Sequence, residues 1–212
     1  MWQATGLRRF NSPELDFAAI VTVQPNQILE LIWIVWLVSW VVAAFWSART
    51  KAQVGSAEAW MYRAPQIAGG ILLVPFTATL LGEKPIWHVG YGIACALALV
   101  MVAGLAFTWW ARIYLGRLWS SAITRKEDHT VIDTGPYAVV RHPIYTGIII
   151  ALLATAAVEG RLSALVGVAL IIFSFWLKAR SEERFLAAEL SADAYSAYRR
   201  RVPMLVPFFP QR

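Results

Sequence analysis

One cysteine among 212 residues, Cys95, leaves no intramolecular disulfide and no thiolate metal cluster within reach. Its place inside an apolar run reads as a small core or lipid-facing side chain. Charge is scarce too: 15% of residues are Asp, Glu, Lys or Arg, where soluble domains carry about 25%. Histidine occurs three times, as His88, His129 and His142, with no H-E-x-x-H or other i,i+4 pair, so no metal site is expected. No G-x-G-x-x-G, P-loop or G-x-S-x-G is present. Soluble dinucleotide, nucleotide and serine-hydrolase folds therefore lack their motifs, and no Rossmann fold is expected. Nucleic-acid binding would need a basic surface on a soluble module, and the chain has no such module. The apolar stretch at residues 18–23 stops at Gln24-Pro25, too soon for a cleaved signal.

What is present points to the bilayer. Hydrophobic residues make up 58% of the chain and its mean hydropathy is +0.55. Eleven Trp and seven Tyr favour the membrane interface. The expected fold is an all-α integral membrane domain of about five transmembrane helices. Apolar segments run over about residues 28–46, 66–82, 86–110, 144–158 and 162–177. The first has 19 residues, roughly 28 Å as helix and enough for a bilayer core. The last two, joined by Glu159-Gly160-Arg161, read as a helical hairpin near the C-terminus. Residues 1–27 form an N-terminal segment, interfacial or flexible; 28–110 hold three helices; 111–212 hold a polar loop, the hairpin and a C-terminal amphipathic helix with its tail. The amphipathic stretch is placed at 178–201, with Phe185, Leu186, Leu190 and Tyr198 on one face. Trp109-Trp110 and Arg112 read as an interfacial finish to the third segment.

Fifteen Lys or Arg fall on one side of a five-span arrangement and four on the other: Arg8, Arg9, Lys84 and Arg161. Positive charge marks the cytoplasmic face, so loop and tail are expected there together. The implied location is multi-pass in a bacterial inner membrane or its equivalent.

The densest polar stretch is Thr134–Gly147, T-G-P-Y-A-V-V-R-H-P-I-Y-T-G, at the mouth of the fourth segment. Gly-Pro and His-Pro force turns or extended backbone, which leaves N–H and C=O groups for a polar ligand. The plain alternative is a lid of aromatic and basic residues resting on headgroups. A second constellation, Arg180-Ser181-Glu182-Glu183-Arg184, leaves the fifth segment. Arg180 and Glu183, at i,i+3, share a helix face, either as a solvated ion pair or as part of a site next to the loop.

These segments together carry a resemblance. D-H-T-V-I-D-T-G-P-Y-A-V-V-R-H-P-I-Y-T-G, then a helical hairpin, R-S-E-E and Y-S-A-Y-R-R-R-V-P, resemble the isoprenylcysteine carboxyl methyltransferase family. That family sits in a wider group of membrane methyltransferases that includes phospholipid N-methyltransferases. The likeness covers about Leu115–Pro207. It implies S-adenosylmethionine held in a cytoplasm-facing pocket, and a lipid-like or prenylated methyl acceptor entering from the bilayer among membrane lipids. By motif position, His129, Thr130, Val131 and Ile132 resemble the segment lining adenine and ribose. Tyr137, His142, Pro143, Ile144 and Tyr145 resemble residues around the rest of the cofactor, and Glu183 matches a cofactor-contacting glutamate. Ser120, Ser121 and Thr124 match a polar contact loosely. The family's substrate-binding arginine lies about one turn before its glutamate. Arg180 is the nearest counterpart at three residues, with Ala179 at four, so Arg180 and Glu183 form the implied catalytic pair and Glu182 is left without a role. The activity implied is carboxyl O-methylation. Same-fold transfer to a phospholipid amine or small thiol is the runner-up, and a membrane scaffold or small-solute carrier is the non-enzyme rival. A carrier would place ionisable residues inside its helices, where segments two to five have almost none.

Overall fold

In the computed structural model the described residues are 24–45, 52–53, 56–116, 124–125, 132–189 and 192–209. Seven α-helices appear among them: α1 (Pro25–Ala44), α2 (Ser56–Leu73), α3 (Pro75–Leu80), α4 (Tyr91–Leu115), α5 (Pro143–Glu159), α6 (Leu162–Glu189) and α7 (Ala192–Arg201). A 3-10 turn spans Gly135–Ala138, and two-residue strands β1 (Ala52–Gln53) and β2 (Thr124–Arg125) pair antiparallel. The all-α expectation holds. Three helices, α1, α4 and α6 as far as Ala187, are long and apolar enough to cross a membrane, and α5 is a shorter apolar helix of 17 residues.

Helix boundaries differ from the apolar segments in instructive ways. The second segment is divided, because Pro75 cannot continue a helix and pushes Val74 into extended backbone (φ −70°, ψ 126°). α2 also begins at Ser56, ten residues before the apolar run, so Glu58 and Arg63 lie within it. The third segment enters its helix only at Tyr91, since Lys84-Pro85 and Gly90 precede it. The amphipathic stretch does not begin at Lys178: α6 carries straight on from the bilayer segment to Glu189, and α7 is a separate helix. Leu190 lies outside the described residues.

Packing follows small side chains. α4 lies on α5 where Gly104 meets Gly147, and a Cβ on Gly147 would come within 2.4 Å of the Gly104 carbonyl oxygen. α2 lies on α6 where Gly69 meets Gly167, with a Cβ on Gly69 2.5 Å from the Gly167 oxygen. Such backbone approach is how helices gain dispersion contacts without a hydrophobic driving force. α1 joins through tryptophans: Trp36 donates from Nε1 to Thr108 Oγ1 at 2.9 Å and Trp33 to Thr155 Oγ1 at 3.0 Å. At one end, the hairpin closes on Gly160 in left-handed backbone (φ 63°), and Glu83 caps α6 by accepting from the Ser163 N–H at 2.9 Å.

The opposite end is where polar side chains converge. Arg112, expected at headgroups, is buried instead; it donates to Ala43 O at 2.6 Å and Gly116 O at 2.9 Å, binding the last carbonyls of α1 to the end of α4. Glu58 of α2 accepts from Ser181, and from Arg184 at 2.9 Å, both on α6. These contacts bring the ends of α1, α4 and α6 and the starts of α2 and α5 to one level.

Candidate functional site

The R-H-P-x-Y stretch has little regular structure, for reasons its residues supply. Pro136 opens the 3-10 turn, and Pro143 takes the first position of α5, which holds His142 outside the helix (φ −124°, ψ 64°). Extended backbone there was expected to offer its amides to a ligand. Two of them go instead to the tail: Arg141 N–H donates to Pro203 O at 2.8 Å and His142 N–H to Met204 O at 3.1 Å. Thr146 Oγ1 adds a bond to Leu205 O at 2.7 Å, and Tyr198 OH donates to Tyr137 O at 2.8 Å. Arg201 pairs with Asp133. Burial pushes the Tyr198 phenol up, against the opposing effect of Arg141, so it stays a neutral donor. The Y-S-A-Y segment thus fastens tail to loop.

Beneath this clamp lies an ionic cluster. Glu183, 3% exposed, accepts on Oε1 from Arg141 Nε at 2.7 Å and faces His142 Nε2 at 3.2 Å; its Oε2 lies 3.3 Å from Arg199 Nε. Arg141 also donates from Nη1 to Arg199 O at 2.8 Å and Val202 O at 2.6 Å. Glu182 accepts on Oε1 from Tyr145 OH at 2.6 Å, and its Oε2 lies 3.3 Å from His142 Nδ1. Lys178, one turn earlier on α6, sets its Nζ 4.0 Å from Glu182 Oε1. The His142 ring stacks on Tyr145 at 5.4 Å, and Tyr145 stacks on Phe175 at 4.8 Å.

Both ring nitrogens of His142 therefore face carboxylates. Burial alone would lower its pKa, but hydrogen bonds to Glu182 and Glu183, with their charges, outweigh this and raise it. A raised folded pKa contributes stability that is complete below the ordinary imidazole value of about 6.5 and is lost as pH rises through the folded value. The thermal midpoint in detergent should accordingly fall as pH climbs above about 6.5, and His142→Gln should flatten that slope. Equal slopes for wild type and variant would show that His142 is not held as imidazolium.

The sequence-expected residues divide into three groups. Tyr137, His142, Pro143, Tyr145 and Glu183 come together, with Tyr137 and Pro143 buried beside the clamp and Ile144 in the first turn of α5. Ile132, half-buried, begins the described part of the loop, and His129, Thr130 and Val131 lie outside the described residues, as do Ser120 and Ser121. Arg180 stands apart: it is exposed, with its guanidinium 4.3 Å above the Trp176 ring, while the Glu183 oxygens are engaged by Arg141, His142 and Arg199. Glu182, Lys178, Arg141 and Arg199 belong to the cluster without having been assigned a role, and Tyr62 reaches it from α2. The i,i+4 spacing of Lys178 and Glu182 was the available signal.

Cations outnumber carboxylates here, with Arg141, His142, Lys178 and Arg199 against Glu182 and Glu183. Such a cluster can hold an anionic group while its carboxylates face a cationic one. S-adenosylmethionine carries both kinds of charge, so the donor set fits it.

A family model described as the isoprenylcysteine carboxyl methyltransferase family matches residues 96–188. Protein-S-isoprenylcysteine O-methyltransferase of Schizosaccharomyces pombe is 29% identical over 102 residues, 47% of this chain and 43% of that protein. The cobalt-zinc-cadmium resistance protein CzcN of Cupriavidus metallidurans is 32% identical over 96 residues, 44% of this chain and 43% of that protein. Methanethiol S-methyltransferase 2 of Bradyrhizobium diazoefficiens is 45% identical over 73 residues, 34% of this chain and 26% of that protein. The matches span less than half the length of each of these relatives. Residues 96–188, which supply most of the ionic cluster, are thus the part of the chain that is similar to the isoprenylcysteine carboxyl methyltransferase family.

Proposed function

We propose that this chain is an integral membrane methyltransferase that uses S-adenosylmethionine to methylate the carboxylate of a lipid-like acceptor. The observation that carries the reading is the buried cluster of Arg141, His142, Glu182 and Glu183, built by residues that match a methyltransferase family. When bound, S-adenosylmethionine supplies a methyl group activated on a sulfonium. Glu183 and His142 hold its amino-acid end by charge, and residues 129–132 take the nucleoside. Burial of the cluster keeps water from the reacting atoms. A carboxylate acceptor is already ionised and needs no general base, so the residues act by positioning and desolvation. An amine acceptor would have to lose a proton, and Glu182 is the carboxylate placed to take it. A second reading, transfer to a small thiol, has its own support in the 45% identity to a methanethiol S-methyltransferase.

The same reading puts the loop and the tail on the cytoplasmic face, supported by the fifteen-to-four charge asymmetry. Residues 28–110 then serve mainly as the membrane scaffold of a core at 111–212. Single cysteines at Lys126 and Arg200 should react from the same side of sealed vesicles, and labelling from opposite sides would overturn this placement.

The function is tested by titrating the purified protein with S-adenosylmethionine and its demethylated product, then offering labelled donor with three acceptors. These are a farnesyl-cysteine analogue, a simple thiol and phosphatidylethanolamine. Micromolar-range binding and carboxylate methylation are expected. Folded protein giving neither heat nor thermal shift with either ligand would return the chain to the scaffold reading.

A further inference from the structure

The loop–tail clamp leads into a turn that packing inside the protein does not explain. Val202 and Met204 are buried, but beyond Leu205 the side chains turn outward: Val206 is 62% exposed, Phe208 94% and Phe209 72%. The Phe209 N–H donates to Val206 O at 3.4 Å across a turn whose second residue is Pro207 and whose third is Phe208. Phe208 takes φ 63°, and no other non-glycine residue among those described has a positive φ. A turn with Pro second and a positive φ third ordinarily takes glycine there, because a Cβ is crowded in left-handed backbone. A phenylalanine held so, with its ring almost fully exposed, points to a partner outside the fold. Its position says which one. Leu205 O accepts from Thr146 Oγ1 at 2.7 Å, in the first turn of the apolar helix α5. Three further residues reach at most about 11 Å, which keeps the Phe208 ring near the level where α5 begins its apolar run. Charge agrees: Asp193 is the last acidic residue, and Arg199, Arg200, Arg201 and Arg212 follow it. Arg199 and Arg201 engage Glu183 and Asp133, yet all three arginines at the end of α7 are exposed. Exposed aromatics beside a basic cluster suit the headgroup layer of an anionic bilayer. A second copy of the chain would bring arginine toward arginine, which disfavours it.

We propose that Val206, Phe208 and Phe209 dock the tail on the surface of an anionic bilayer, and that this docking holds the loop–tail clamp closed. This goes beyond the methyltransferase reading and needs only that α5 enters the bilayer at this end. The phenyl rings settle among the headgroups while the arginines of α7 answer the negative surface potential. The clamp carbonyls of Pro203, Met204 and Leu205 then lie between two fixed points. One is α7, packed through Tyr195, Tyr198 and Val202 on Leu186 and Ala187 of α6, and the other is the pair of rings in the lipid. A tail fixed at one end only would let those carbonyls leave the Arg141 and His142 amides more often. The bilayer is thereby part of what keeps the ionic cluster covered.

The test uses the full chain in nanodiscs of phosphatidylcholine with and without phosphatidylglycerol. An environment-sensitive fluorophore on Phe208→Cys, in a Cys95→Ser background, is quenched from the lipid by doxyl-labelled acyl chains or from water by iodide. Doxyl quenching should exceed iodide quenching at least about threefold in discs that contain phosphatidylglycerol. Clamp closure is read by deuterium exchange at the Arg141 and His142 amides in wild type, Phe208→Gly and Phe208→Trp. Glycine fits φ 63° better than phenylalanine, so with an idle ring Phe208→Gly would exchange no faster than wild type. Docking requires the reverse: exchange faster by about fivefold in Phe208→Gly, restored to within about twofold by Phe208→Trp. Wild type should also exchange faster when phosphatidylglycerol is left out. The proposal is overturned by a label quenched mainly by iodide, or by one shielded from both quenchers, which would mean that a second copy or another part of this chain covers the ring. It is equally overturned by unchanged or slower exchange in Phe208→Gly, by faster exchange that tryptophan does not restore, or by wild-type exchange indifferent to the anionic lipid. S-adenosylmethionine enters none of these measurements, so their failure leaves the methyltransferase proposal standing.

Discussion

Glu183→Ala is expected to abolish turnover and to weaken S-adenosylmethionine binding beyond detection, while also lowering stability. The carboxylate is 3% exposed and answers Arg141, His142 and Arg199 together. Removing it leaves the buried Arg141 guanidinium without its counter-charge, which costs about 3–5 kcal/mol in comparable buried pairs. The variant alone would confuse a lost site with a lost fold, so Glu183→Gln is the informative partner. Gln keeps the volume and one acceptor oxygen, so much of the fold should survive, whereas the negative charge facing a cationic cofactor is gone. Thermal midpoints and donor affinity measured on both variants separate the two effects. Normal turnover in Glu183→Gln would remove this carboxylate from the site and leave it as the tail's anchor.

Gly147→Leu should be nearly as damaging from outside the cluster. Even the first carbon of a side chain there meets Gly104 O at 2.4 Å and the Thr108 methyl at 2.6 Å, both across the α4–α5 contact. Overpacking of this kind costs typically 1–3 kcal/mol, and a leucine must force the helices apart. Because Tyr145 stands two residues away and carries the His142 stack, the displacement reaches the cluster, and turnover should fall with the thermal midpoint. Gly70→Leu is the control: a Cβ there meets nothing within 4 Å, and neither stability nor turnover should drop. A Gly147→Leu protein as stable as wild type would contradict the close packing of α4 on α5.

How far the sequence carries can be seen at particular residues. The all-helical membrane class, the hairpin at Glu159-Gly160-Arg161 and the meeting of loop and tail were all legible, because hydropathy and glycine chemistry are local. The convergence of Tyr137, His142, Tyr145 and Glu183 was legible only through a family pattern. Lys178 and Arg180 show what was not. Two residues apart, they are equivalent cations in the sequence, and only the packing of α2 and α5 against α6 decides which is enclosed and which lies over Trp176. The helix breaks were missed where a proline outweighed a continuous apolar run, as at Val74-Pro75. The start of α2 was missed because Glu58 and Arg63 gave no apolar signal, although their helix is held by Ser181 and Arg184.

The pairing of loop and tail also bears on how the protein is made. Arg141 and His142 hand their amides to Pro203 and Met204, some sixty residues later, with the entire hairpin between them. Until that tail has been made, the Arg141 and His142 amides lack the Pro203 and Met204 carbonyls, and the Arg141 guanidinium has neither the Val202 carbonyl nor the Arg199 carbonyl to hold it. Membrane insertion of α5 and α6 therefore precedes assembly of the cluster, and a nascent chain halted before Pro203 would be inserted but without a finished site. Quality control that senses an unclosed loop would act only once residues 199–205 have been made.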